Sequence, residues 1–155
     1  MPELPEVETV KEALNQTVKG QTIKDIELRY EPMVKNMSAD EFKEKLINQT
    51  IQEVSRRGKY LVFHFDDYQL LSHLRMEGKY FYVDSDFELN PHVHVIFTLE
   101  NGKRLLYQDT RKFGTYHLYD KAIDLETTAP FQVLGLEPFA TEFTPSYVKE
   151  KIQNK

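Results

Sequence analysis

The sequence predicts an α+β fold that is mainly β, a two-layer antiparallel β-sandwich with an N-terminal helix and short flanking helices. Three observations predict it. At the start of the chain, apolar residues recur at helical spacing, with Leu4, Val7, Leu14 and Val18 on one stripe. From Thr50 to Tyr119 they alternate or run in short apolar blocks, the pattern of strands. Asn101-Gly102 then stands between the apolar segments Val93–Leu99 and Arg104–Tyr107, the strongest hairpin signal in the chain. One amphipathic helix and several half-apolar strands are buried most simply by two packed sheets with the helix laid against them.

The elements follow in chain order. Residues 3 to about 18 read as a helix, with Val10 beside the stripe and Gly20 as the stop. Gln21 to Tyr30 places Ile26, Leu28 and Tyr30 on one face of a half-buried strand. Ser38 with Glu41 forms a capping box before a short helix carrying Phe42 and Leu46 at i, i+4. Leu61, Phe63 and Phe65 alternate along the next strand, and Asp66-Asp67 supplies a turn. Leu70 to Val83 reads as one long strand region with Gly78 as its candidate bend. Near the end, Thr144-Pro145 offers an N-cap followed by proline at the first helical position, with Val148 and Ile152 at i, i+4. A short isolated helix is marginal in water without a partner. Residues 1–138 are therefore expected to form the β-sandwich domain, and 139–155 a linker and the first helix of a further, missing domain.

Composition bounds the function classes. The chain has 155 residues, 40% of them hydrophobic, with ten Phe and nine Tyr, enough for one domain with an aromatic-rich core. No run approaches the roughly 20 apolar residues of a membrane span, and no signal-peptide pattern precedes the first helix. There is no cysteine, so neither a disulfide nor a thiolate zinc site can form in this chain. A cytoplasmic protein without a membrane partner is expected. The formal charge of −5 would repel nucleic acid overall. Distribution matters more than the sum, because Arg56, Arg57, Lys59, Arg75, Lys79, Arg111 and Lys112 cluster in a few short stretches and could share one face.

The opening Pro2-Glu3-Leu4-Pro5-Glu6-Val7-Glu8-Thr9 carries the most chemistry. With Met1 removed, Pro2 exposes a secondary amine. An α-amino group titrates near ~8 and a lysine amine near ~10.4, so the terminal amine has far more attacking form at neutral pH. Attack on a sugar C1′ gives an iminium, an electron sink, and Glu3 is placed to move protons during it. Proline in a first turn followed by glutamates is equally a good helix start.

Further stretches resolve that choice by resemblance. They are Arg56-Arg57-Gly58-Lys59-Tyr60-Leu61, Ser72-His73-Leu74-Arg75-Met76-Glu77-Gly78-Lys79 and Asp109-Thr110-Arg111-Lys112-Phe113-Gly114, with Leu134-Gly135-Leu136-Glu137-Pro138 beyond them. Together with the opening, in this order, they resemble the formamidopyrimidine-DNA glycosylase family from Pro2 to about Pro138. The resemblance implies a β-sandwich flanked by helices and base-excision DNA repair. It implies excision of oxidised purines (8-oxoguanine, formamidopyrimidine) by N-glycosidic bond hydrolysis, with AP lyase β/δ-elimination through a Pro2 imine. The implied partner is double-stranded DNA containing oxidised purines or abasic sites, bound by a monomer. In the family a further domain holds a helix–two-turn–helix element and a four-cysteine zinc finger. One structural zinc is thus expected there and no cofactor in this chain, which is expected to have little glycosylase activity on its own. The sister endonuclease VIII-type enzymes share the Pro-Glu start and favour oxidised pyrimidines; the fuller match is to the purine enzymes.

The same resemblance assigns roles residue by residue. Pro2 is the nucleophile, Glu3 the acid/base, and Lys59 assists β-elimination and contacts phosphate. Glu6 supports the proton network around them. His73, His92, Arg111 and Lys155 match DNA contacts. Met76, Arg111 and Phe113 match the residues that fill the void left when a base leaves the duplex, a task suited to apolar wedges with an arginine. Read without the resemblance, Met76 and Phe113 are ordinary core residues, and Lys59 a solvated strand-end lysine. His92 and His94 form a His-x-His pair, but no third ligand stands at a telling spacing, so no metal site is expected. His64 and His117 read as structural histidines. The rival class is a non-catalytic β-sandwich that binds nucleic acid or another protein.

Overall fold

Helix α1 (Leu4–Thr17) buries Val7 and Leu14, and Val18 is buried in the turn that closes it. Gly20 follows at φ +88°, a conformation that favours glycine, and its N–H donates to Ile51 O. The computed structural model describes residues 4–75, 77–111 and 114–131. The chain divides into two compact units, residues 1–121 and 122–155. In the described part of the second, Asp124 caps the 3₁₀ turn Leu125–Thr127 by accepting from Glu126 N at 3.0 Å. The boundary expected near residue 138 and the helix expected after Thr144 lie outside the described residues.

In the first unit the remaining elements are β1 (Ile23–Leu28), α2 (Ala39–Leu46), β2 (Glu53–Arg57), β3 (Tyr60–His64), β4 (Tyr68–His73), β5 (Lys79–Val83), β6 (Val93–Leu99), β7 (Arg104–Gln108) and β8 (Thr115–Asp120). They form two four-stranded sheets, ordered β1-β6-β7-β5 and β2-β3-β4-β8, with every strand pair antiparallel. This is the two-layer sandwich that the periodicity predicts. The capping box is present, with Ser38 Oγ accepting from Glu41 N at 3.1 Å and Phe42 and Leu46 fully buried. β1 is shorter than expected and slips register between Ile23 and Asp25, which lets Ile23 and Ile26 both point inward. Tyr30 falls beyond the strand, its ring tilted against His94 at 5.7 Å.

The hairpin between β6 and β7 forms where Asn101-Gly102 places it, though not as a two-residue turn. Only Gly102 takes a positive φ, +87°, and its N–H donates to Leu99 O at 3.0 Å. That is the three-residue form, in which the left-handed position falls on the glycine alone.

The expected long strand from Leu70 to Val83 is two strands in opposite sheets. β4 ends at His73, the chain crosses the sandwich through residues 74–78, and β5 begins at Lys79. A second crossover, residues 109–114, returns from β7 to β8. Between the sheets, Phe63, Phe97, Tyr107 and Tyr116 share one core with Val7, Leu14 and Val18 of the helix. Through that core run the hydroxyls of Ser72, Tyr80 and Tyr116, 2.7 Å apart in succession. Buried hydroxyls satisfied this way specify one packing arrangement.

Candidate active site

Strand register brings the separated motifs to one end of the sandwich. In one sheet Arg57 pairs with Tyr60, Tyr60 with His73, and His73 with Thr115. In the other, Lys79 and Val93 both pair with Gln108. The two crossovers join these row ends. The β2–β3 turn with Lys59, the 74–78 loop, the start of β6 with His92 and the 109–114 loop are therefore neighbours.

The helix is fixed to this end by side chains. Asn15 mimics a neighbouring strand on the edge strand β2, donating to Val54 O at 2.7 Å and accepting from Val54 N at 2.8 Å. Nearer the N-terminus, Arg56 donates through Nε to Glu8 Oε1 at 2.9 Å and through Nη1 to Gly58 O at 3.0 Å. One guanidinium thus ties the second helical turn to the hairpin turn that presents Lys59. Gly58 takes φ +63° in that turn and Lys59 does not share it, the pattern of a type II′ hairpin with glycine first. Lys59 is exposed, and Glu6 is exposed in the first turn of the helix.

His73 is buried, and the ring of Tyr60 meets it edge-on at 4.7 Å. Its Nδ1 accepts from Arg75 N at 3.0 Å, which leaves any proton on Nε2. Burial, then the Arg75 and Lys59 charges, push its pKa down to about 4, so the ring is neutral at physiological pH. The bond to Arg75 also holds a residue with a left-handed φ of +57°, rare for a side chain of this size. Gly78 N closes the same turn onto Leu74 O at 2.9 Å.

The second loop is organised by a residue to which the sequence assigned no role. Asp109 is 1% exposed, and its carboxylate accepts from Arg111 N at 3.0 Å, Gly114 N at 2.8 Å and the Tyr107 hydroxyl at 2.9 Å. Its own N–H donates to His92 O at 2.9 Å, and its carbonyl lies 2.7 Å from His94 Nε2. An aspartate whose side chain accepts from the amide two residues on is an Asx turn, a signal legible in Asp109-Thr110-Arg111. Thr110 and Glu77, one from each loop, approach at 3.5 Å.

His92 and His94 do not act as a pair. His92 is exposed, while His94 is buried against the Asp109 carbonyl across a register slip between Val93 and Val95. His64 accepts or donates to Ser55 Oγ at 2.7 Å, and the ring of His117 stacks on Tyr119 at 6.3 Å; burial lowers the pKa of both histidines. Pro2, Glu3, Met76, Phe113 and Lys155, with Lys112, lie outside the described residues.

Basic residues are in excess at one end of the strands. Arg56, Arg57, Lys59, Arg75, Lys79 and Arg111 sit at the end just described, by the register of their strands and turns. Glu77 and Asp109 share that end, while Asp66 and Asp67 in the β3–β4 turn, Asp84 after β5 and Asp120 at the close of β8 lie at the other with Lys103, Arg104 and Lys121. A chain of net charge −5 can in this way offer a cationic end to a polyanion.

An antiparallel sandwich that gathers basic residues from separate stretches at one end, with an N-terminal helix clamped beside an exposed lysine, defines the class as a β-sandwich domain with a helix-flanked basic end. This chain belongs to the formamidopyrimidine-DNA glycosylase family: residues 1–116 match the model of the formamidopyrimidine-DNA glycosylase N-terminal domain. It is 48% identical over 154 residues to the formamidopyrimidine-DNA glycosylase of Bacillus licheniformis, covering 99% of this chain and 56% of that protein. The Bacillus subtilis enzyme of the same name is 49% identical over 153 residues, covering 98% and 55%. The chain thus spans little more than half the length of these curated relatives. Among solved structures, it is similar to Lactococcus lactis Fpg in complex with DNA containing an abasic site, with TM-score 0.74 and 45% identity over 77% of this chain and 45% of that one. The same Fpg with FAPY-dG-containing DNA gives TM-score 0.73 at the same identity, over 77% and 44%.

Proposed function

We propose that this chain carries the nucleophile-bearing part of a DNA glycosylase of base-excision repair that removes oxidised purines and cleaves the resulting abasic site. The observation that carries the reading is the convergence of Lys59, His73, Arg75, His92 and Arg111, drawn from four separate stretches, at one cationic end of the sandwich beside the helix that begins after Pro2. Relatives named formamidopyrimidine-DNA glycosylase, and the neighbouring Fpg structures with abasic and FAPY-dG DNA, support the glycosylase part of this reading.

In the proposed reaction the Pro2 nitrogen attacks C1′ as the damaged base departs with its bonding pair. Glu3 shuttles the protons, and the product is an iminium between Pro2 and the opened sugar. The iminium acidifies the C2′ hydrogen. Loss of that proton expels the 3′ phosphate, and a second elimination expels the 5′ phosphate. In this reading Lys59 steadies a departing phosphate with its charge. Met76, Arg111 and Phe113 fill the gap left in the duplex.

Borohydride trapping tests this. Hydride reduces the iminium to a stable amine, so the chain incubated with an abasic-site duplex should become covalently joined to it. The Met1 state is read by mass spectrometry, since a retained methionine turns the Pro2 nitrogen into an unreactive amide. A chain with Pro2 at its terminus that gives no adduct, or an adduct of equal yield from Met1-retaining protein, defeats the reading.

A further inference from the structure

Both crossovers close on a single phenol. A Cβ placed on Gly78 would lie 2.5 Å from the Tyr107 hydroxyl oxygen and 2.6 Å from Leu74 O. One placed on Gly114 would overlap that same hydroxyl and come within 2.7 Å of Tyr107 Cζ. Each loop therefore passes the tyrosine with bare backbone, one glycine from each, and neither can carry a side chain there. The hydroxyl between them donates to Asp109 Oδ2, which also accepts from Gly114 N. The other carboxylate oxygen holds Arg111 N. Burial first, then Tyr80 and Asp109, push the pKa of Tyr107 upward, so it remains a donor at any physiological pH.

We propose that Tyr107 and Asp109 are positioning residues that lock the 74–78 and 109–114 crossovers to one another, so that the DNA-facing residues on both loops act as one preorganised wedge. The lock stands on geometry; the wedge rests on the glycosylase reading above. A displacement of the 74–78 loop at Gly78 moves the phenol, the phenol moves the carboxylate, and the carboxylate holds Arg111 and Gly114 of the 109–114 loop. Preorganisation of this kind matters because the gap left by an extruded base closes again by restacking unless it is filled at once.

The test has two arms, both on the 155-residue chain. Tyr107→Phe keeps the ring in the core and deletes only the donor; Asp109→Asn, which puts an amide where an N–H must be accepted, serves as the second variant. In native-state hydrogen exchange, either variant should speed exchange at Arg111 and Gly114, and also at Gly78 in the other loop, by about tenfold, with β3 and β4 unchanged. Acceleration confined to Arg111 and Gly114, or none, overturns the lock. In the second arm, binding is measured to duplexes with and without an abasic site, 2-aminopurine opposite the gap reporting its filling. Tyr107→Phe should lower the preference for the abasic duplex by about fivefold or more, leaving affinity for intact duplex within about twofold, as expected for one lost hydrogen bond. Equal loss on both duplexes, or no loss, overturns the wedge. Wild-type chain that shows no abasic preference and no borohydride adduct defeats the glycosylase reading and with it the wedge, while the exchange arm still decides the lock.

Discussion

Arg56 Nε lies 2.9 Å from Glu8 Oε1, and through that one contact the N-terminal helix is joined to the hairpin turn that presents Lys59. Glu8 holds a second cation, Lys11 Nζ at 2.8 Å. These are surface pairs, so their value lies in orientation more than in stability.

The first prediction follows from that carboxylate. Lys11 most strongly, then Arg56, hold the Glu8 pKa down from 4.5 to about 2. A depressed carboxylate contributes stability that is full above its unfolded pKa and is lost as pH falls through its folded one, here between about 4.5 and 2. Carbon-detected NMR titration should find the Glu8 midpoint near 2, raised further by Lys11→Ala than by Arg56→Ala. A wild-type midpoint near 4.5 would mean that the joint does not persist in solution.

His73 gives the same sign in a higher pH window. Its pKa is pushed below the ordinary histidine value, so between about 6.5 and 4 the unfolded chain takes up a proton that the folded chain refuses. Stability should therefore fall as pH drops through that window. Denaturant melts at pH 6 and pH 4.5 should show it, and His73→Gln should remove up to one proton's share of the slope, about 1.4 kcal/mol per pH unit. His64 and His117, whose pKa values are also lowered by burial, keep their own share in the variant. An unchanged slope would show that His73 is already charged in the folded state.

The elements whose order comes from local pattern were legible in the sequence. Val7, Leu14 and Val18 marked the helix, Ser38 with Glu41 marked its shorter partner, and Asn101-Gly102 marked the hairpin. The split between Leu70 and Val83 was not, because both halves are apolar and only pairing with different sheets separates them. Alternation also failed in β3 and β4, where Val62 and Leu71 are as buried as Leu61 and Leu70. Lys59, His73, His92 and Arg111 could be singled out by resemblance to a family's motifs. Asp109 stood in the same motifs with a readable Asx signal. Tyr107 could not be singled out, since its role depends on two glycines, each of which reads locally as a bend or a loop end.

Those glycines give a stability prediction with an internal control. Gly78→Ala and Gly114→Ala should each destabilise by roughly 1–3 kcal/mol, the range for forcing atoms into a packed site. Gly114→Ala collides chiefly with the Tyr107 side chain, whereas Gly78→Ala also meets the Leu74 backbone carbonyl at 2.6 Å. In a Tyr107→Phe background, part of the Gly114→Ala penalty should disappear and most of the Gly78→Ala penalty should remain. Double-mutant cycles from chemical melts read this directly. Strictly additive penalties at Gly114 would show that loop and phenol are not in contact.

The last prediction concerns the cationic end. Neutralising a side chain that meets a phosphate should lower the slope of log affinity against log salt by about 0.9, because one fewer counterion is released. Lys59→Ala and Arg111→Ala should each do so on duplex DNA. Asp120→Asn is the matched control: it also changes the net charge by one, with opposite sign, but at the far end of β8. At about 0.1 M salt, screening extends only some 10 Å, less than the length of a six-residue strand. The slope for Asp120→Asn should therefore match wild type while the other two fall below it. Slopes that track net charge alone, wherever the substitution lies, would show that DNA does not meet the end where Lys59 and Arg111 converge.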